Sequence, residues 1–121
     1  MPIVDVEIVG DFNEPEASLS RSLADRLAEV FGSPPGQTWV RLRNLPLNCY
    51  AENGESEPHG ANAVFVTVIK GALDEPQRRE LEASRIAQVV AAVCSRSPER
   101  VHVLFEPPGA GRIAFGGKLM Q

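Results

Sequence analysis

The residue with the most chemistry to offer is the second. Pro2 stands directly behind Met1 at the head of PIVDVEIVG, a Val- and Ile-rich run that reads as a strand. A strand accepts proline at its first residue or on an edge, because proline has no amide hydrogen to donate. Removal of Met1 would turn the Pro2 nitrogen from an inert amide into a basic secondary amine. An α-amino group titrates at about 8, close to where a general base works best. Such an amine can act as a general base. An apolar pocket or a nearby cation lowers the amine pKa. A cation would also stabilise negative charge that develops on a bound reactant.

The elements that must position these groups come in two copies. An offset of 61 pairs Ile8 with Ile69, Gly10 with Gly71, Glu14 with Glu75, Pro15 with Pro76, Val40 with Val101 and Pro46 with Pro107. Each copy reads as strand, helix, strand. PIVDVEIVG and AVFVTVIKG are the first strands, and TWVRLR and RVHVLF the second. Between them, Leu19, Leu23, Leu27 and Val30, and then Ile86, Val90, Val93 and Cys94, recur at helical spacing and give each helix one apolar stripe. Asn13 and Asp74 are the expected N-caps, each followed by an acidic residue and proline. Gly32 with Pro34-Pro35, and Ser97-Pro98, are the expected stops.

The expected fold is therefore α+β: two tandem β-α-β units (2–46 and 63–107) in one four-stranded mixed sheet, with two helices on one face. A crossover helix makes the strands of each unit parallel. The linker 47–62, with a turn at Asn53-Gly54, and the tail 108–121 would each add a short strand or hairpin. Extra edges on a thin core suggest pairing between subunits.

With 121 residues, 43% hydrophobic and 23% charged, the chain has the composition of one globular domain. The net charge of −4 argues against nucleic acid, whose phosphates call for a basic face. No signal peptide and no apolar run of about 18 residues is present, which points away from membranes and towards the cytoplasm. Cys49 and Cys94 lack CxxC spacing and read as reduced thiols.

A proline heading a duplicated β-α-β unit of this length resembles the tautomerase superfamily, over nearly the whole chain. GSPPGQTWVRL and SPERVHVLFEPPGAGRIAFGG resemble the stretches around the second strand of each unit in that family. The resemblance implies a homotrimer whose sheets enclose a central barrel, with sites at subunit boundaries around each Pro2. It implies no cofactor or metal, and a small 2-oxo or enol carboxylate as substrate. Arg41 matches a substrate-binding arginine of the family. Alternation places it with Trp39 and Arg43 on one face of what is expected to be a central strand, where a charge needs a partner or a ligand. Lys70 resembles in position a basic residue of the family's dehalogenase branch. His102 is the second-copy counterpart of Arg41. Arg112, Ile113 and Phe115 lie in the tail that the family uses as a wall against a neighbouring subunit.

Departures from the family pattern are equally specific. Ala63 stands at the Pro2 position of the second copy, Asp11 and Phe12 where one branch has an arginine, and Ser33 where another has a lysine. No acidic residue matches the water-activating carboxylate of the dehalogenases. The rival readings are a decarboxylase or hydratase with protonated Pro2 as acid, a tautomerase-fold protein acting through protein contacts, and a ferredoxin-like binding domain.

Overall fold

The computed structural model describes residues 2–54 and 62–121. Met1, whose removal the chemistry of Pro2 requires, lies outside the described residues, as does linker segment 55–61. Strands β1 (Ile3–Val9), β2 (Trp39–Leu45), β3 (Val64–Ile69) and β4 (Val101–Phe105) form one sheet in the order β2-β1-β3-β4. Pairs β1–β2 and β3–β4 are parallel, and β1–β3 is antiparallel. Helices α1 (Glu16–Phe31) and α2 (Pro76–Cys94) are the two crossovers.

Alternation along the strands decides what is core. Val4, Val6 and Ile8 of β1 and Val64, Val66 and Val68 of β3 are at most 1% exposed. They pack with Leu19, Leu23 and Leu27 of α1 and Ile86 and Val90 of α2. Both helices therefore cover the same face. The opposite face carries Ile3, Asp5 and Glu7 of β1, Trp39, Arg41 and Arg43 of β2, and Phe65 and Thr67 of β3, with His102 and Leu104 of β4. No helix of the described residues is long and apolar enough to cross a membrane.

Several expectations need correcting. The helix N-caps are Pro15 and Glu75, without a side-chain cap, rather than Asn13 and Asp74. Proline at the helix start has no N–H to satisfy, and the Asp74 carbonyl accepts from Arg79 at 2.9 Å. Gly32 ends α1 at φ 65°, as its freedom from a Cβ allows. Helix α2 ends earlier than expected, on Ser95 at φ 56°, and Pro98 opens a 3-10 turn instead. Strand β2 is an edge strand, not a central one, because β1 takes its second neighbour from the other unit. The tail forms a hairpin, β5 (Ala114–Phe115) with β6 (Lys118–Leu119), that pairs with itself and does not extend the main sheet. After the first unit the described residues hold a 3-10 turn, Leu47–Cys49, in place of a strand. The expected turn at Asn53-Gly54 is present, with Gly54 at φ 79°.

Candidate active site

Strand register places Pro2. Ile3 pairs with Trp39 on β2 and with Ile69 on β3. One step back, Pro2 is flanked by Thr38 on one side and Lys70 on the other. The Trp39 N–H donates to the Pro2 carbonyl at 3.0 Å, which ties this end of β1 to the edge strand. By alternation with Val4, Val68 and Val40, all three residues belong to the helix-covered side of the sheet. They lie at its end, where α1 stops and the covering runs out. The result is a cleft of about 450 Å³ lined by Pro2, Phe31, Ser33, Pro34, Gln37 and Lys70, among others. Pro2 itself is buried.

Lys70 is the charged residue among those described that line this cleft. Its ammonium donates to both carboxylate oxygens of Glu82 on α2, at 2.9 and 3.1 Å, with the two side chains only 19% and 14% exposed. The Phe31 ring lies 5.7 Å from Nζ, within cation–π range. A buried lysine keeps its charge when a carboxylate compensates the lost hydration. The Lys70 ammonium is thus anchored by Glu82, and its backbone stands across the β1–β3 ladder from Pro2. The tail reaches this rim. The Gly109 N–H donates to the Lys70 carbonyl at 2.7 Å, and Ile113 packs so tightly on Gly109 that a Cβ there would sit 2.7 Å from Ile113 Cδ1. Ile113 therefore packs on the residue that bonds the Lys70 main chain.

Other candidates fall elsewhere. Arg41 projects from the opposite face of β2, its side chain 61% exposed, and is bound in two-pronged fashion by Asp5 of β1, with Nη2–Oδ2 at 2.8 Å. The hydrogen bond to Asp5, and then its charge, raise the Arg41 pKa further. The partner is thus within the same chain and directly cross-strand. His102 is on the same open face, its ring 5.4 Å from Phe65, which in turn lies 5.8 Å from Tyr50. Phe115 meets Trp39 edge-on at 5.3 Å, so the tail packs against β2 of its own chain. Arg112 donates to the Pro107 and Pro108 carbonyls and bridges its own loop. Of the seven candidates, the fold brings Pro2 and Lys70 together in the cleft lining and leaves Arg41, His102, Arg112, Ile113 and Phe115 outside it.

Glu82, Phe31 and Gln37 escaped the sequence reading. Glu82 is one acid among several on a charged helix, and only the packing of α2 on the end of β3 shows that it meets Lys70. Phe31 and Gln37 flank the Gly-Ser-Pro-Pro stop that follows α1. Their signal was the stop itself, since a chain that turns there returns past the start of β1.

No protein-family model matches the chain, and no curated protein matches it in sequence. Solved structures do. A wild-type fused 4-OT, solved as a symmetric trimer, superposes with a TM-score of 0.78 at 18% identity, covering 98% of this chain and 94% of that one. Macrophage migration inhibitory factor from Oncomelania hupensis gives 0.75 at 20% identity, over 100% of this chain and 83% of that one. The FG41 malonate semialdehyde decarboxylase gives 0.69 at 13% identity, over 94% and 88%. All three belong to the tautomerase superfamily. At such identities the likeness is one of architecture, and the chain has the tautomerase-superfamily fold.

Proposed function

We propose that the protein is an isomerase that uses the Pro2 amine, freed by loss of Met1, as general base for keto–enol or 1,3-proton transfer on a small 2-oxo or enol carboxylate. The observation that carries this reading is the buried Pro2 at the floor of a cleft whose charged lining residue is Lys70. The amine removes the proton alpha to the carbonyl, and the charge that develops on oxygen is met by the Lys70 ammonium. Glu82 anchors that ammonium without removing its charge. Phe31 lends apolar surface to the cleft beside the amine, which favours its neutral, basic form. The same prolinium then returns the proton to the product carbon.

The reading also includes a homotrimer, as in the fused 4-OT structures. In that assembly Arg41, on the open sheet face, would act at a site shared with a neighbouring subunit, with His102, Arg112 and Phe115 as secondary contacts. The decisive experiment is the intact mass of the purified protein followed by phenylpyruvate ketonisation across pH, for wild type and Pro2→Ala. A mass lacking Met1, a rate that rises as one group deprotonates near neutrality, and its loss in Pro2→Ala are expected. Retention of Met1, or full rate in Pro2→Ala, overturns the reading. A rate that instead follows the protonated amine would favour the decarboxylase-like use of Pro2 as acid.

A further inference from the structure

One buried polar group beside Pro2 stands unpaired among the described residues. Thr38 is 9% exposed, and its Oγ1 has no hydrogen-bond partner there. Leaving a buried hydroxyl unpaired costs about 1–3 kcal/mol, so its place in the sheet matters.

The β1–β2 ladder gives that place. In a parallel pair, a residue bonds through both its N–H and its C=O to the same neighbouring strand. At the far end of the ladder, the Gly10 N–H donates to the Leu45 carbonyl at 2.9 Å. At the near end the Pro2 carbonyl accepts from Trp39. Pro2 therefore turns both its carbonyl and its nitrogen towards β2. By the same pattern that joins Gly10 to Leu45, the nitrogen is aimed at the Gln37 carbonyl, with Thr38 as the residue directly opposite. Within the ladder, proline has no hydrogen to put there. A free prolinium has two. The unsatisfied Thr38 hydroxyl and the unused donor positions of Pro2 thus belong to register neighbours one strand spacing apart, with both side chains on the same side of the sheet.

We propose that Thr38 is a positioning residue for the Pro2 amine, its hydroxyl accepting a hydrogen bond from the prolinium N–H and holding the ring in the cleft. This rests on Pro2 being a free amine. An acceptor for the charged form stabilises that form and raises the amine pKa. Thr38 therefore opposes the downward pull of the apolar walls and of Lys70. The groups that face Pro2 are the uncharged Thr38 and Gln37 from the β2 side and Phe31 and Ser33 from the end of α1. From the β3 side comes the Lys70 ammonium, held by Glu82 of α2. None of the substitutions below alters that pair.

The test is a direct titration of the Pro2 amine by NMR on the full chain labelled with carbon-13 proline, for wild type, Thr38→Val and Thr38→Ser, beside their phenylpyruvate pH–rate profiles and denaturant stability. Thr38→Val keeps the shape and removes the hydroxyl. Its amine pKa is expected to fall by about half a unit to one unit, with stability unchanged or raised, because an unsatisfied group has gone. Thr38→Ser restores the wild-type titration. Coincident titrations of wild type and Thr38→Val overturn the proposal, as does a mass showing that Met1 is retained. The titration is read without turnover. A shifted amine in a protein that fails to ketonise phenylpyruvate, or that survives Pro2→Ala, would sink the isomerase reading and leave the Thr38 contact standing.

Discussion

At one end of the sheet, Pro2 and Lys70 border an open cleft of about 450 Å³. At the other end, the residues 61 positions away make a narrower hollow of about 130 Å³, lined by Asp11, Cys94, Ser95 and Arg96 among others. The offset of 61 relates part of the two linings and the residues beneath them. Ala63 stands for Pro2, Val9 for Lys70, Cys94 for Ser33 and Arg96 for Pro35. Ala63 and Val9 are fully buried and joined by a main-chain hydrogen bond of 3.0 Å. The Arg96 guanidinium crosses the mouth and donates to the Val9 carbonyl at 3.1 Å and the Asp11 carbonyl at 2.9 Å. The two β-α-β units thus build similar architecture at both ends, while the Pro2 end has a potential base and the larger opening, and the cation at the other end, Arg96, is spent on main-chain carbonyls. The fold supplies a gap where a helix ends beside a strand start. The residues at that gap decide whether it becomes a site or a seam.

The largest expected effect separates the two ends by activity. Pro2→Ala should lower kcat/KM for phenylpyruvate by about 10²–10⁴-fold, the usual reach of a general base. Its unfolding midpoint should barely move, since Pro2 donates nothing to the ladder. A loss below tenfold would put the two ends on an equal chemical footing.

Next in size is Lys70→Met, which keeps the stem over Phe31 and removes the charge. A loss of about 10–100-fold in kcat/KM is expected, in line with one electrostatic contact to a developing oxyanion. Glu82, its side chain 14% exposed, is left without its cation, so destabilisation of about 1–3 kcal/mol should accompany it. Lys70→Met with Glu82→Gln should recover much of the stability and none of the activity. Recovery of both would make the pair structural only.

Arg96→Met does the converse at the closed end. Two hydrogen bonds from a charged donor are lost, worth about 1–3 kcal/mol after allowance for partial exposure. The phenylpyruvate rate should stay within about twofold of wild type. A rate that fell with stability unchanged would mean that the closed end communicates with the cleft.

What the sequence made legible follows from how local each signal is. The two helical stripes, Leu19-Leu23-Leu27 and Ile86-Val90-Cys94, are statements about one period, and they became the core. Pro2 was legible because its chemistry depends on its own position behind Met1. Arg41 was legible as a charge on a strand face. Its partner Asp5 depends on a parallel register 36 residues apart, and the edge position of β2 depends on which unit β1 pairs with next. Neither is a local property. Glu82 has the same history, hidden among acids until the packing of α2 brought it to Lys70 at the end of β3. Likewise the offset of 61 exposed Ala63 as the missing second base, yet nothing local told that Arg96 would bridge the Val9 and Asp11 carbonyls.

The smallest contrast is between Cys94 and Ser33, the same position at the two ends. Cys94 is 7% exposed, and burial pushes its thiol pKa up to about 11, from an ordinary 9, with Arg96 opposing and Glu14 adding to the shift. A pKa raised on folding means that the folded chain holds the thiol proton more tightly than the unfolded chain does. The contribution is complete below about pH 8 and is lost as pH rises through 9 towards 11. Between pH 8 and pH 10 that amounts to about 1 kcal/mol. Denaturant titrations at the two pH values should show this drop in wild type and a drop smaller by that amount in Cys94→Ala. In parallel, a thiol reagent at pH 8 should modify Cys49, which is exposed, within minutes and spare Cys94. Ser33→Cys should add one more fast thiol, because the cleft at that end admits solvent. Equal alkaline losses in wild type and Cys94→Ala, or a protected thiol at position 33, would mean that the two ends differ less in solvent access than their volumes and lining imply.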